Sequence, residues 1–75
     1  MNKCLININT YMIDIDNELR KQNCRLCWVG DIISIVQKEG KNVLYEVKIP
    51  IMDCDTKEPI YYLKFYLPKK YIIIP

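Results

Sequence analysis

The sequence has no histidine and no alanine, only one serine and only two glycines. Without histidine, no side chain has an ordinary pKa near neutrality, and neither a Cys–His nor a Ser–His catalytic pair can form. The serine, Ser34, lies inside an apolar segment. The carboxylates available for a paired mechanism all lie in polar segments without an apolar pocket to raise a pKa; they are Asp14, Asp16, Glu18, Asp53 and Asp55. We therefore expect a protein that is not an enzyme.

Long hydrophobic runs are also absent. No apolar run exceeds four residues, as in Tyr71 to Ile74, whereas a membrane-spanning helix needs about 18 or more. Asn7 and Asn9 interrupt the apolar residues near the N-terminus, so the continuous core of a signal peptide is missing. We expect no membrane insertion, and a location in the cytoplasm or another reducing compartment. In such a compartment the four cysteines stay free thiols.

The residues that are abundant favour strands. The chain has 75 residues and a formal net charge of +2, which fits a single small domain over residues 1–75. It contains thirteen Ile, four Val and two Thr, together with six Tyr, one Trp and one Phe. β-branched and aromatic side chains suit a pleated, half-buried surface, so the composition predicts an all-β fold.

Alternation of apolar and polar residues locates the strands. Residues 3–15 read as a strand whose parity changes near Thr10, and residues 18–23 have helix-compatible composition but are too few for more than a turn. Further strands are predicted over residues 25–36, 43–51, 60–67 and 72–74, with a hairpin turn around Gly40 and a tight turn after Pro68. Short loops without helices predict a closed or nearly closed barrel of about five short strands.

Three details sharpen this prediction. Ile32, Ile33, Ile35 and Val36 make the densest apolar patch of the chain. The clearest alternation is over residues 43–51, which predicts one core face and one solvent face. The core face carries Val43, Tyr45, Val47, Ile49 and Ile51, and the solvent face carries Leu44, Glu46 and Lys48. Pro50 cannot donate to a strand ladder, so the strand over residues 43–51 is expected to reach a sheet edge or a bend there. At a sheet edge, a partner strand could add.

Short sequence patterns in the C-terminal two-thirds of the chain resemble those of a known family. Glu-Leu-Arg at 18–20, followed by Gly-Asp-Ile-Ile-Ser-Ile-Val at 30–36, is similar to the segments that border the first long loop of Src-homology-3-like barrels. Leu-Pro-Lys-Lys-Tyr-Ile at 67–72 resembles the 3₁₀ turn before the last strand of that fold. The resemblance implies such a barrel, acting as an accessory subunit, an RNA-binding module or a small inhibitor. The family's Ala-Leu-Tyr-Asp-Tyr run and Trp pair are missing, so the resemblance does not imply binding of proline-rich peptides.

The cysteines offer one metal hypothesis. Cys24 and Cys27 have the CxxC spacing that can hold one side of a tetrahedral zinc, and Cys4 with Cys54 could complete the site. The second pair is not a CxxC, and free cysteine is commonly a small buried side chain. We expect no cofactor, with a Cys₄ zinc protein as one alternative.

The strand over residues 60–67 predicts the binding surface. If Leu63, Phe65 and Leu67 face the core together with Tyr61, the opposite face is lined by aromatic and basic side chains. The predicted binding residues are Tyr62, Lys64, Tyr66, Lys69, Lys70 and Tyr71. Exposed tyrosines beside lysines are typical of interface cores, and we include Tyr11 and Trp28 as further members of this aromatic patch.

From these features we expect a non-enzymatic protein-binding module, either an accessory subunit of a larger complex or a small phage-type or viral-type regulator. Its partner is expected to be a protein with an acidic surface. RNA or single-stranded nucleic acid on the same face is the alternative, because aromatics stack on bases and lysines neutralise phosphates.

Overall fold

Strands make up most of the computed structural model, which describes residues 2–75. One helix interrupts them near the N-terminus, and a 3₁₀ turn precedes the last strand. In chain order the elements are β1 (Asn2–Ile6), α1 (Thr10–Arg20), β2 (Cys24–Leu26), β3 (Val29–Glu39), β4 (Asn42–Asp53), β5 (Pro59–Pro68), the 3₁₀ turn (Lys69–Tyr71) and β6 (Ile72–Ile73). The predicted all-β class is confirmed, as are the hairpin turn at Gly40 and the turn after Pro68.

The helix α1 corrects the prediction for residues 3–23. Only Asn2–Ile6 forms a strand, and the parity change near Thr10 marks the start of the helix. The Asn9 side chain caps it by accepting a hydrogen bond of 2.9 Å from the Met12 backbone N–H. Met12 and Leu19 are buried against the core, with Ile15 packed beside them, so one stripe of the helix is apolar at helical spacing.

Asp16 anchors α1 to the sheet. Its Oδ1 accepts a hydrogen bond of 2.7 Å from the backbone N–H of Leu26 on β2, and its Oδ2 accepts one of 2.8 Å from Arg20 Nε. The Asp16 side chain is buried. A buried carboxylate is tolerated when it is paired and hydrogen-bonded, so Asp16 has a structural role.

The strand β4 is the centre of an antiparallel sheet. It pairs with β3 over Asn42 to Lys48 and with β2 over Ile51 to Asp53, while β5 pairs with its opposite edge over Leu44 to Met52. The strand β1 joins the sheet through β3, and β6 joins through β1. Within residues 2–75, β5 pairs only with β4 and β6 only with β1, so the sheet does not close on itself. This corrects the prediction of a closed barrel of about five strands, because the structure has an open sheet of six strands.

Of the two alternatives for Pro50, the sheet edge was wrong. Pro50 sits inside β4, opposite Tyr62 of β5. On its other side the partner changes from β3 to β2, and the Pro50 carbonyl accepts a hydrogen bond of 3.1 Å from the Cys27 N–H. A missing N–H is tolerated at this changeover because neither ladder includes Pro50. Among residues 2–75, the long unpaired edge belongs to β5.

The apolar patch on β3 is divided between the core and the surface. Ile32 is buried, but Ile35 and Val36 are exposed. The register of β3 against β4 shifts twice, between Ile32 and Ser34 and between Ile35 and Gln37. These bulges and the length of the hairpin carry the second half of β3 beyond the core.

One hydrophobic core joins the helix to the sheet. It contains Val47, Ile49 and Ile51 of β4, which are completely buried. The remaining buried hydrophobic residues are Cys4, Ile6, Met12, Leu19, Cys24, Leu26, Ile32, Phe65, Leu67 and Ile72.

Candidate functional site

The outer face of β5 presents the side chains that the sequence predicted. Phe65 and Leu67 are buried and Leu63 is half-buried, so alternate residues point away from the core. Tyr62 and Tyr66 have 50% and 55% of their surfaces exposed. Tyr61 was expected in the core but is exposed, because the open sheet leaves this part of β5 uncovered.

A second row of this face comes from β4. Glu46 lies opposite Tyr66, Lys48 opposite Lys64 and Pro50 opposite Tyr62. Lys48 Nζ lies 4.7 Å from the centre of the Tyr62 ring, a cation–π distance. We call the surface formed by Tyr62, Lys64, Tyr66, Glu46 and Lys48 the tyrosine face.

An ion pair occupies the middle of the tyrosine face. Lys64 Nζ is 3.1 Å from Glu46 Oε2, and the Ser34 hydroxyl on β3 donates a hydrogen bond of 2.7 Å to Glu46 Oε1. The hydrogen bond from Ser34 and the contact with Lys64 lower the pKa of Glu46, while the contact with Glu46 raises the pKa of Lys64. Both groups stay charged at neutral pH, so Lys64 adds little net positive charge to the face.

The three predicted binding residues in the 3₁₀ turn after β5 differ in exposure. Lys69 and Lys70 are exposed, whereas Tyr71 packs against the core. The Tyr71 carbonyl accepts a hydrogen bond of 2.7 Å from the Asn7 N–H, and Lys70 Nζ lies 5.4 Å from the Tyr71 ring. Tyr71 therefore supports the turn that carries the two lysines.

Four lysines gather where the β3–β4 hairpin meets this turn. Lys41, Lys69 and Lys70 line a groove of about 510 Å³ whose floor includes Leu44 and Pro68. Lys38 lines a neighbouring cavity with Lys41 and Lys69. Among the ion pairs within residues 2–75, none involves these four lysines. We call Lys38, Lys41, Lys69 and Lys70 the basic end.

The other aromatic candidates lie elsewhere. Trp28 is half-buried and packs against the core. Tyr11 is exposed, but it belongs to α1 and lines a shallow apolar cavity with Ile15 and Leu19. Neither residue belongs to β4 or β5, the strands that form the tyrosine face.

The cysteines are free thiols. Cys4 and Cys24 are buried and Cys27 and Cys54 are half-buried. Burial raises the pKa of Cys4, partly offset by a backbone hydrogen bond at Gly30. Among residues 2–75, no three His, Cys, Asp or Glu side chains lie close enough together to hold a metal ion. The Cys₄ arrangement is therefore not formed in this structure.

The carboxylates considered for catalysis lie either on α1 or in the turn before β5. Asp14, Asp16 and Glu18 are on α1 rather than in a loop. Asp53 Oδ1 accepts hydrogen bonds from the backbone N–H groups of Asp55 and Thr56, and thereby shapes the turn before β5. Asp55 accepts a hydrogen bond of 2.7 Å from Asn23, which ties this turn to the end of the helix segment.

Comparisons with known proteins give no further guide. Neither the models of protein families, nor curated proteins, nor solved structures include a match to this chain. In the described part of the chain, the single α-helix is too short and too polar to cross a bilayer. Function is therefore argued from the tyrosine face and its surroundings.

Three residues of this surface were missed by sequence reasoning. The alternation along β4 placed Glu46 and Lys48 on a polar face, but the sequence gives no register between β4 and β5. Ser34 was set aside as a residue inside an apolar segment. A lysine and a glutamate on the polar faces of consecutive predicted strands are the signal that could have suggested the Lys64–Glu46 pair.

Proposed function

We propose that this chain is a non-enzymatic protein-binding module, an accessory subunit or small regulator, whose tyrosine face contacts its partner. The observation that carries the proposal is the exposure of Tyr62 and Tyr66 on one regular strand. Tyrosines held on a rigid strand offer large contact areas at a small cost in side-chain entropy. The adjacent Lys69 and Lys70 favour a partner with an acidic surface.

The charge pattern favours a protein over a nucleic acid on this face. Glu46 is held beside Lys64 by two interactions and would stand close to any phosphate bound there. A strand of phosphates is best matched by a groove of uncompensated lysines and arginines. A protein partner can supply both a carboxylate for Lys48 and a donor for Glu46.

A Src-homology-3-like arrangement is part of the same proposal. The 3₁₀ turn between β5 and the short β6, and the pairing of β6 with β1, support it. We place the protein in a reducing compartment, in keeping with its free thiols.

Capture experiments with matched variants test the proposal. The tagged chain is recovered from its native host with and without nuclease, in parallel with Tyr62→Ser/Tyr66→Ser and a Tyr11→Ser control. Tyr11 is as exposed as Tyr66 but lies on α1. We expect a defined protein to survive nuclease on the wild type and on Tyr11→Ser, and to be lost from the double variant. Equal recovery by all three chains would rule out the tyrosine face.

Nucleic acid remains a second candidate because the basic end carries four lysines outside any ion pair of the described chain. If it binds single strands, affinity for an oligonucleotide should fall steeply with salt. Lys69→Gln/Lys70→Gln should then reduce the slope of log K against log salt by about 1.4. A shallow slope that is the same in the variant would reject this candidate.

A further inference from the structure

The free edge of β5 is the longest regular unpaired edge among residues 2–75. From Tyr61 to Pro68 the strand pairs with β4 without a register shift, and its other edge has no strand partner in the described chain. The second half of β3 also has a free edge, but two bulges disrupt it. The edge strands β2 and β6 have only three and two residues.

The side chains of β5 do little to block a further strand. Between Tyr61 and Leu67 the only charged residue is Lys64, and Glu46 neutralises it within the same sheet. Natural edge strands are usually protected by charges, prolines, bulges or covering segments. Here the prolines stand only at the two ends, Pro59 and Pro68. The intervening residues are rich in aromatics and suited to pairing with another strand.

Opposite charges mark the two ends of this strand. The turn that leads into β5 contains Asp53, Asp55 and Glu58 against one lysine, Lys57. The other end runs into the basic end, where one acidic residue, Glu39, lines the same groove as Lys41, Lys69 and Lys70. When two copies of β5 align antiparallel, the acidic turn of each copy lies beside the basic end of the other. A parallel alignment would instead bring like charges together.

We propose that two copies of this chain associate by antiparallel pairing of their β5 strands, which creates one continuous sheet across a twofold axis. The pairing satisfies backbone groups along both edges, and it covers Tyr61, which the open sheet leaves exposed. Because the interface uses the same edge in both copies, association closes at two chains. The proposal concerns the edge of the sheet and goes beyond the partner-binding role of its outer face.

Charge-reversal variants of the full chain test this arrangement. One variant is Lys69→Glu/Lys70→Glu, and the other is Glu58→Lys, whose side chain makes no hydrogen bond or ion pair within the described residues. The lysine reversal puts like charges together at both ends of the paired strands. Glu58→Lys brings the net charge of the turn to zero and so removes its attraction to the basic end. We expect wild-type dimers, an increase of about tenfold or more in the dimer dissociation constant for the lysine variant and a smaller increase for Glu58→Lys.

Mixing the two variants gives the decisive measurement. In a mixed pair, the reversed basic end of one chain meets the neutral turn of the other, and the remaining two ends keep their native charges. Sedimentation analysis over a concentration series should therefore show more dimer in the mixture than in either variant alone, with a difference that shrinks as salt rises. Circular dichroism identical to that of the wild type confirms that each variant is folded.

Three outcomes would overturn the proposal. They are a wild-type chain that stays monomeric throughout the series, folded variants that dimerise as tightly as the wild type, and a mixture that associates no better than its components. If the wild type is monomeric but still captures its partner, the tyrosine face remains the binding surface, and the β5 edge does not pair with a second copy.

Discussion

The two halves of β4 have different surroundings. Val47, Ile49 and Ile51 are completely buried in the core, whereas Val43 and Tyr45 are only half-buried in the hairpin with β3. The molecule is correspondingly elongated, 42 Å along its longest axis and 19 Å along its shortest. The same strand thus lies partly in the packed core and partly in a projecting hairpin. We expect the residues in the core to contribute most to the free energy of unfolding and those in the hairpin to contribute little.

Truncating one isoleucine in each region gives the largest expected contrast. Ile49→Ala should lower the free energy of unfolding by about 3 kcal/mol, because it leaves a cavity in the core. Ile35→Ala in the projecting hairpin should change it by no more than about 0.5 kcal/mol, since Ile35 is 53% exposed. Urea denaturation at one fixed protein concentration measures both. Similar losses would mean that the hairpin is packed as tightly as the core.

A smaller contrast compares two aspartates of α1. Asp16→Ala removes the acceptor of the buried Leu26 N–H and should cost about 2 kcal/mol of stability. Asp14→Ala, at an exposed position of the same helix, serves as the control and should have little effect. Thermal unfolding of the two variants under identical conditions tests this. An equal effect at both positions would contradict the anchoring role of Asp16.

The smallest effect is expected at Glu46, on the tyrosine face. Because the hydrogen bond from Ser34 and the contact with Lys64 lower its pKa in the folded state, the carboxylate stabilises the fold above its ordinary pKa of 4.5. That contribution is lost as the pH falls through the lower folded value. Glu46→Gln should therefore be slightly less stable than wild type at neutral pH, and the gap should close in acid. A gap that is independent of pH would show that Glu46 does not act through its charge.

Sequence reasoning succeeded where one face of a strand is buried. Alternation placed Val47, Ile49 and Ile51 in the core and Tyr62 and Tyr66 on the surface, because a period of two is sufficient for that assignment. It also placed Val43 and Tyr45 on the core face, but the projecting hairpin leaves them half-buried. It did not identify the Lys64–Glu46 pair, since contacts across strands depend on a register that is set by the assembled sheet.

The helix was missed for a local reason. Tyr11, Ile13 and Ile15 alternate like a strand, while Met12 and Leu19 supply the buried helical stripe. β-branched isoleucines weakened the helical signal further. The side chain of Asn9, a strong cap residue, was the sign that favoured a helix start at this point.

The pairing of β1 with β6 affects the order in which the parts of the sheet form. Leu5 pairs with Ile73, so the two ends of the sequence must meet before this part of the sheet exists. The strands β3, β4 and β5 follow one another directly and can pair through short turns. Loop-closure entropy is smaller for such local pairing, so the three-strand meander is expected to form early and the contact between the chain's first and last strands to form late.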